Sequence, residues 1–250
     1  MPISVSVVMP AHIEFKYLEG SVEFVENNLS NHLNVLDWEI IIVTSKTETG
    51  TDDGTPALAD KIAQRNKKVR VIHNNCYVSL GQKYWQGLRF AKFDYFMMVP
   101  GKNTFRGDSL KNILDAAGKK DLVIGYHFSM KHRQRHRRIY TIIKTALMNL
   151  AFGLNLKYFS GTTLIPVKIL QAIESEVRGK DSVYMAEILT ILIRKYGLSY
   201  VEVPFFTRGK RTYGKTNVFK LSNQIGQFKT CLKLIRIIYC QKQKHNLKNR

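Results

Sequence analysis

The first half of the chain alternates short apolar runs with segments whose apolar residues recur at helical spacing. "SVSVVMP" (4–10) and "WEIIIVT" (38–44) are rich in β-branched residues and predict strands buried on both faces. "VRVIHN" (69–74), "YFMMVP" (95–100) and "DLVIGYHF" (121–128) extend the series. Between them, the spacing of Val22, Val25, Leu29 and Leu33 predicts a helix over 21–36. "DGTPALADKIAQR" (53–65) predicts another, with Pro56 in its first turn. "GQKYWQGLRFAK" (81–92) and "DSLKNILDAAGK" (108–119) predict two more, the latter stopped by Gly118. Repeated β-α order with doubly buried strands implies an α/β protein. Its sheet is expected to be mostly parallel and Rossmann-like, with helices on both faces.

The second half has a different texture. A basic run, "KHRQRHRR" (131–138), precedes the apolar "IYTIIKTALMNLAFGL" (139–154), which is interrupted by Lys144. That stretch is shorter than the ~18 apolar residues of a spanning helix and suits a buried or an interfacial one. "GTTLIPVKIL" (161–170) predicts a strand and a helix start. "VYMAEILTILIRKYG" (183–197) predicts an amphipathic helix, and "LSYVEVPF" (198–205) a last strand. A basic loop, "TRGKRTYGKTN" (207–217), leads to a predicted helix over 218–240 and a polar basic tail.

Charge sharpens this division. The 250 residues carry a formal net charge of +20. Segments 122–173 and 203–250 contain no Asp or Glu and hold eight and twelve Lys/Arg, which is the whole excess. An otherwise balanced domain therefore bears two basic segments suited to diphosphate, anionic lipid or nucleic acid. No nucleic-acid motif accompanies them, and the basic residues are not interleaved with regular stacking aromatics, so a nucleic-acid partner is not expected. Cys76, Cys231 and Cys240 form no CxxC, which fits reduced thiols rather than zinc. No P-loop or Ser-His-Asp spacing occurs. His132 and His136 lie among arginines, a poor place for a metal. The chain opens on a strand without a basic leader, so no signal peptide is read.

Six stretches together resemble family 2 glycosyltransferases. "VVMPAHIE" is similar to the family's "VVIPAYNE" opening, and "WEIIIVTSKTETGTDDGT" to its second strand and Asp-rich loop. "NNCYVSLGQKYWQGLRFAKFDYFMMV" resembles the segment leading to the metal strand. "YFSGTTLIPVKIL" resembles the acceptor segment, and "AEILTILIRKYGLSYVEVPF" the later Glu-Leu to Glu-Val-Pro segment. "RTYGKTNVFKL" resembles a loop of polyprenyl-phosphate sugar synthases of dolichol-phosphate mannose synthase type. The resemblance spans roughly residues 4–221. It implies a GT-A domain over 1–217, with 218–250 a basic helix and tail packed on the domain or lying on a membrane.

The resemblance also assigns residues. Pro10, Ala11, Glu14, Thr44, Ser45, Asp53, Gly81, Lys83 and Gly101 fall where the family contacts the donor nucleotide. Glu14 is either such a contact or an exposed loop acid. Arg137, Arg138, Ser160, Gly161, Arg208, Arg211 and Lys215 are candidates for diphosphate and acceptor. Three departures stand out. Thr44-Ser45 replaces an Asp pair, so Asp52 or Asp53 must fold back or the nucleoside contacts must differ. Lys157 replaces an Asp of the acceptor segment. The Asp-x-Asp metal position reads Pro100-Gly101-Lys102, so no metal ligand is assigned, although Mg²⁺ or Mn²⁺ is usual in the family.

Sugar transfer with inversion leaves negative charge on a departing diphosphate, which a metal or fixed cations must stabilise. Lys102 supplies an ammonium at the metal position, with Asn103 beside it. A hydroxyl acceptor also needs a base, for which Glu187 is the candidate, or else a helix-surface ion-pair partner. A lipid phosphate needs none. The expected enzyme is thus a glycosyltransferase using a nucleotide-diphosphate sugar and a polyprenyl phosphate or glycan acceptor. It is expected to be cytoplasmic and peripheral on an anionic inner membrane face, alone or with a membrane-protein partner. The alternative is a family member that binds or scaffolds without transfer.

Overall fold

The protein is described here by a computed structural model covering residues 2–130, 134–177, 179, 183–207 and 231–240. Its centre is β1 (Ile3–Ala11), of which every residue but Ser4 is buried. β1 pairs in parallel with β2 (Val35–Thr44) on one side and β4 (Tyr95–Met98) on the other. β3 (Val69–Ile72) continues beyond β2, and β6 (Thr163–Pro166), β5 (Leu122–His127) and β7 (Tyr200–Phe205) continue beyond β4. The order is β3-β2-β1-β4-β6-β5-β7, and β6 alone runs antiparallel to its neighbours. The mostly parallel sheet expected from the sequence is present.

Alternation along the strands builds two cores. Val5, Val7, Met9, Ala11, Ile40 and Ile42 face α1 (Phe15–Ser30), α2 (Thr55–Arg65) and α4 (Gly107–Asp115). Val8, Ile41 and Val43 face α3 (Leu80–Phe90), α6 (Val167–Ile173) and α7 (Tyr184–Thr190). Towards the amino ends of the strands, the buried Glu39 ties the layers together. Its Oε1 accepts from Ser6 Oγ at 2.7 Å and Lys92 N–H at 2.8 Å, and Arg70 donates to Oε2 through Nε and Nη2 at 3.1 and 2.6 Å. A buried carboxylate is tolerable here because each oxygen is paired.

Several sequence-predicted boundaries move. The helix expected over 21–36 runs instead from Phe15 to Ser30, and Leu33 is 98% exposed. The cause is tertiary. Phe15 N–H donates to Asp53 Oδ2 at 3.1 Å and Glu14 N–H to Thr55 Oγ1 at 2.9 Å, so the α2 loop caps α1 from outside its own sequence. The helix expected to begin at 139 begins at Arg135 and takes in the end of the basic run, forming α5 (Arg135–Phe152). The helix expected over 183–197 is α-helical only to Thr190 and continues as a π-helical turn over Ile191–Lys195. Of the helix expected over 218–240, residues 231–240 are described and helical, with Leu234 and Ile237 buried against the domain. Arg208, Arg211 and Lys215 lie outside the described residues.

The tightest backbone approach is at the β5–β6 pair. A β-carbon on Gly161 would lie 1.7 Å from the Gly125 carbonyl oxygen, whereas one on Gly107 meets nothing within 4 Å. Gly161→Ala is therefore expected to lower the unfolding free energy by about 2–3 kcal/mol. Gly107→Ala is expected to change it by less than ~0.5 kcal/mol. Urea midpoints at unchanged slope check both.

Candidate active site at the β1–β4 switch

In this strand order the chain proceeds outward from β1 to β2 and β3, then returns to place β4 on the other side of β1. The loops after β1 and β4 therefore diverge and leave a crevice at their carboxyl ends, the place where open parallel sheets bind ligands. The two loops remain joined at the base. Val99 N–H donates to Val8 O at 3.0 Å and Gly101 N–H to Pro10 O at 3.1 Å. A β-carbon on Gly101 would lie 3.2 Å from that same carbonyl oxygen and 3.3 Å from Leu18, so glycine lets the β4 loop lie against β1. Ile13 and Asn103 are the non-glycine residues with positive φ among those described, at 55° and 48°. One lies in each loop. For a β-branched residue such as Ile13 this is a strained conformation, of the kind that collects at functional sites.

The crevice floor carries a buried charge. Lys83, in the first turn of α3, is 3% exposed and donates from Nζ to Ala11 O at 3.3 Å. Burial pushes its pKa down to about 8, and the nearby Glu14 carboxylate partly opposes that shift. Glu14 is itself 4% exposed, which corrects the reading of it as an exposed loop acid. The chain turn Ser79-Leu80-Gly81 delivers Lys83 here through a capping box between Ser79 and Gln82.

At the end of β2, Thr44 and Ser45 are buried. Thr44 Oγ1 lies 2.8 Å from His73 Nδ1, and His73 Nε2 lies 2.8 Å from Asp60 Oδ1. Ser45 Oγ lies 3.3 Å from His12 Nδ1. Burial lowers the His12 pKa, against the opposing effect of the Ser45 carbonyl. The ring of Tyr77 meets His12 edge-on at 5.5 Å. Asp53 does fold back, but its Oδ2 is engaged by the α1 amino terminus and its Oδ1 by Thr55 N–H at 3.1 Å. Asp52 Oδ1 accepts from Gly54 N–H at 2.8 Å.

After β4, Lys102 is exposed. Asn103 turns towards α1. Its N–H donates to Ser21 Oγ at 2.5 Å, and its Nδ2 lies 2.6 Å from where a Gly20 β-carbon would be. Asn103 Oδ1 is buried with no hydrogen-bond partner among the described residues. On the other flank of β4, Thr162 Oγ1 donates to Met98 O at 3.1 Å, bringing the buried Gly161 and exposed Ser160 to the same edge. Lys157 Nζ stands 4.3 Å over the Tyr126 ring, and its N–H donates at 2.7 Å to Glu202, whose pKa burial raises. Thr207 bridges to Phe105, so the chain leaving β7 meets the β4 loop at Thr207.

The remaining described site candidates lie on α7, whose Tyr184 hydroxyl meets Met98 at the end of β4, and on α5. Glu187 is 1% exposed, ion-paired with Lys233 and accepting from Gly179 N–H at 2.7 Å. Arg137 and Arg138 lie on α5, the latter exposed. Conversely, His12, His73, Tyr77 and Glu202 were not singled out from sequence. His12 stands within the "PAHIE" stretch, which offered a local signal. Glu202 sits in the "VEVP" strand, and nothing local marks it as half-buried beside Lys157.

Residues 6–173 match Glycosyl transferase family 2, and the chain belongs to that family. Among curated relatives, glycosyltransferase AglD of Haloferax volcanii is 29% identical over 92 residues, covering 37% of this chain and 14% of that protein. Glycosyltransferase GlyG of Streptococcus pneumoniae is 24% identical over 127 residues, covering 50% of this chain and 39% of that protein. The chain thus spans well under half the length of these relatives. Among solved structures, the glucosyl-3-phosphoglycerate synthase of Mycobacterium tuberculosis, in complex with Mn²⁺, UDP-glucose and phosphoglyceric acid, superposes with a TM-score of 0.67. It is 17% identical, with 93% of this chain and 80% of that one covered. The mannosyltransferase PcManGT of Pyrobaculum calidifontis, with GDP-mannose and Mn²⁺, gives a TM-score of 0.61 at 13% identity, over 98% of this chain and 66% of that one. The fold is that of the GT-A glycosyltransferases.

The described residues do not form a carboxylate-held site for a divalent ion. No group of three or more His, Cys, Asp and Glu that could hold a metal occurs among the described residues, and Lys102 stands where the sequence resemblance placed the metal motif.

Lys83 makes a testable link between charge and stability. Below about pH 8 both folded and unfolded chains hold its proton; between about 8 and the ordinary 10.5 only the unfolded chain does. Its contribution to stability therefore rises across that window. The wild-type minus Lys83→Met difference in unfolding free energy is expected to climb by up to about 3 kcal/mol between pH 7.5 and 10.5. Urea titrations at stepped pH check this.

Proposed function

We propose that this chain is an inverting glycosyltransferase. It moves a sugar from a nucleotide-diphosphate sugar to a polyprenyl phosphate or a glycan intermediate, in the manner of dolichol-phosphate mannose synthase-type enzymes. The product would serve cell-surface polysaccharide or glycoconjugate synthesis, with the enzyme peripheral on an anionic membrane face. The observation that carries this reading is the buried Lys83 ammonium beneath the β1–β4 crevice, with Lys102 in the loop above. Membership in family 2 and GT-A neighbours solved with UDP-glucose and GDP-mannose support a nucleotide-sugar donor.

In this proposal the donor diphosphate lies over the ends of β1 and β4. The acceptor oxygen attacks the anomeric carbon as the bond to the diphosphate oxygen breaks. The electron pair leaves with the diphosphate, and Lys83 and Lys102 offset the charge that develops. Cations fixed in a partly desolvated crevice interact more strongly than the same groups in water. Lys83 must be protonated for this, so donor affinity weakens as pH rises above about 8. A phosphate acceptor arrives already anionic and requires no base, which suits a segment carrying Lys157 where the family has an Asp. Glu187 is held by Lys233 and Gly179 and takes no part in proton transfer in this proposal.

A second reading, binding without transfer, is favoured by one observation: neither the end of β2 nor the end of β4 carries the family's carboxylates. A thermal-shift panel of UDP-, GDP- and dTDP-sugars, each with Mg²⁺, Mn²⁺ or EDTA, separates the two when followed by transfer to polyprenyl phosphate. The proposal expects donor stabilisation that persists in EDTA, and turnover that Lys102→Ala lowers by ~10²-fold or more. Donor stabilisation without turnover under any metal condition would establish the binding-only reading. Turnover that vanishes in EDTA would overturn the lysine-for-metal assignment.

A further inference from the structure

α5 is apolar on two opposite faces. Its Met148 and Phe152 are buried in the domain. Ile139, Ile142, Ile143, Leu147 and Leu150 are each more than half exposed, and Ala146 is exposed with them. At ~100° per residue these six fall in one arc of about 140°, antipodal to Met148 and Phe152. The same arc continues at the amino end into Arg135 and His136, and Arg138 is exposed on its flank. Between 122 and 173 there is no acidic residue to offset them.

The neighbouring helical segment enlarges the patch. Tyr239 Oη donates to Ala151 O at 2.7 Å, fixing residues 231–240 beside the end of α5, and Leu232, Ile235 and Tyr239 are exposed there. Contiguous exposed apolar surface of this extent marks a docking site rather than ordinary surface.

We infer that α5 lies in the interface of an anionic lipid bilayer, its Ile139–Leu150 stripe among the acyl chains and its arginine-rich first turn at the headgroups. Charge selects this occupant. A second copy of a chain with net charge +20 is repelled, whereas an anionic lipid surface is attracted. The pattern of apolar stripe, basic flank and no acid is that of an in-plane interfacial helix. Topology adds a consequence, which rests on the transferase reading. The chain leaves β5 at the carboxyl edge of the sheet, runs through α5, and returns to that edge at Ser160–Gly161 before β6. A bilayer under α5 thus meets a segment both of whose ends lie at the edge where, on that reading, the acceptor enters, which suits a lipid-borne phosphate.

Flotation of the whole protein with phosphatidylcholine vesicles, with and without phosphatidylglycerol, at low and high salt, tests the docking. Wild type is expected to float with the anionic vesicles at low salt. Ile143→Ser/Leu147→Ser/Leu150→Ser is expected to lose ~10-fold or more of that partitioning. Arg135→Gln is expected to weaken the salt-dependent part. Leu147→Trp is expected to shift its emission to the blue on adding anionic vesicles, which decides the matter if the triple variant fails to fold. Wild type that stays in solution, a folded triple variant that floats equally well, or an unshifted Leu147→Trp overturns the inference. So does a wild-type dimer by light scattering that the triple variant abolishes, which would make the stripe a self-interface. Nucleotide-sugar thermal shifts without vesicles read the transferase proposal separately. Vesicle loss with the donor response intact sinks only the docking, and vesicle binding without any donor response sinks only the transfer.

Discussion

The position of β1 is the constraint on which the rest of the molecule depends. It is buried on both faces and paired in parallel on both edges, so its backbone groups are satisfied by β2 and β4 along most of its length. Parallel pairing forces each connection to cross the sheet, and the order β3-β2-β1-β4 sends the chain away from β1 in two directions. The crevice at the ends of β1 and β4 follows from that reversal. Gly101 keeps its base closed, and the strained Ile13 and the left-handed Asn103 shape its rims. The opposite end of the sheet is locked by Glu39, so the site rests on a rigid scaffold.

Electrostatics gives that crevice its character. Proteins that share this fold have been solved in complex with Mn²⁺ and UDP-glucose or GDP-mannose. This chain brings amines to the carboxyl edge: Lys83 against the end of β1, Lys102 in the β4 loop and Lys157 over the Tyr126 ring near the end of β5. An ammonium is a compact point charge that can lose its proton, unlike a metal ion. Burial of Lys83 makes that loss accessible near pH 8, so the site's charge is conditional on pH.

The two basic segments have different structural settings. The first contains α5, whose outer stripe is exposed. The described part of the second packs Leu234 into the core on the α3 side and offers Lys233 to Glu187. A carboxylate that helical periodicity leaves open as either base or ion-pair partner is thereby enclosed by a residue 46 positions later.

Periodicity and composition alone determined the α/β class, the existence of every described strand and the two acid-free basic segments. These are local properties, because buried strands need unbroken apolar runs and amphipathic helices need a repeating stripe. The motifs also singled out Lys83, Thr44 and Ser45 as residues of the carboxyl edge. The start of α1 escaped, because its cap is supplied by Asp53 and Thr55 from a distant loop. The π-helical turn after α7 escaped too, since helical periodicity does not distinguish it. So did the partnership of Glu202 with Lys157, which joins residues 45 positions apart. Only the tertiary structure decided that Lys83 is buried, that Glu14 is its neighbour, and that the apolar face of α5 points outward. Burial and charge proximity depend on which elements pack together, and no periodicity along one segment records that.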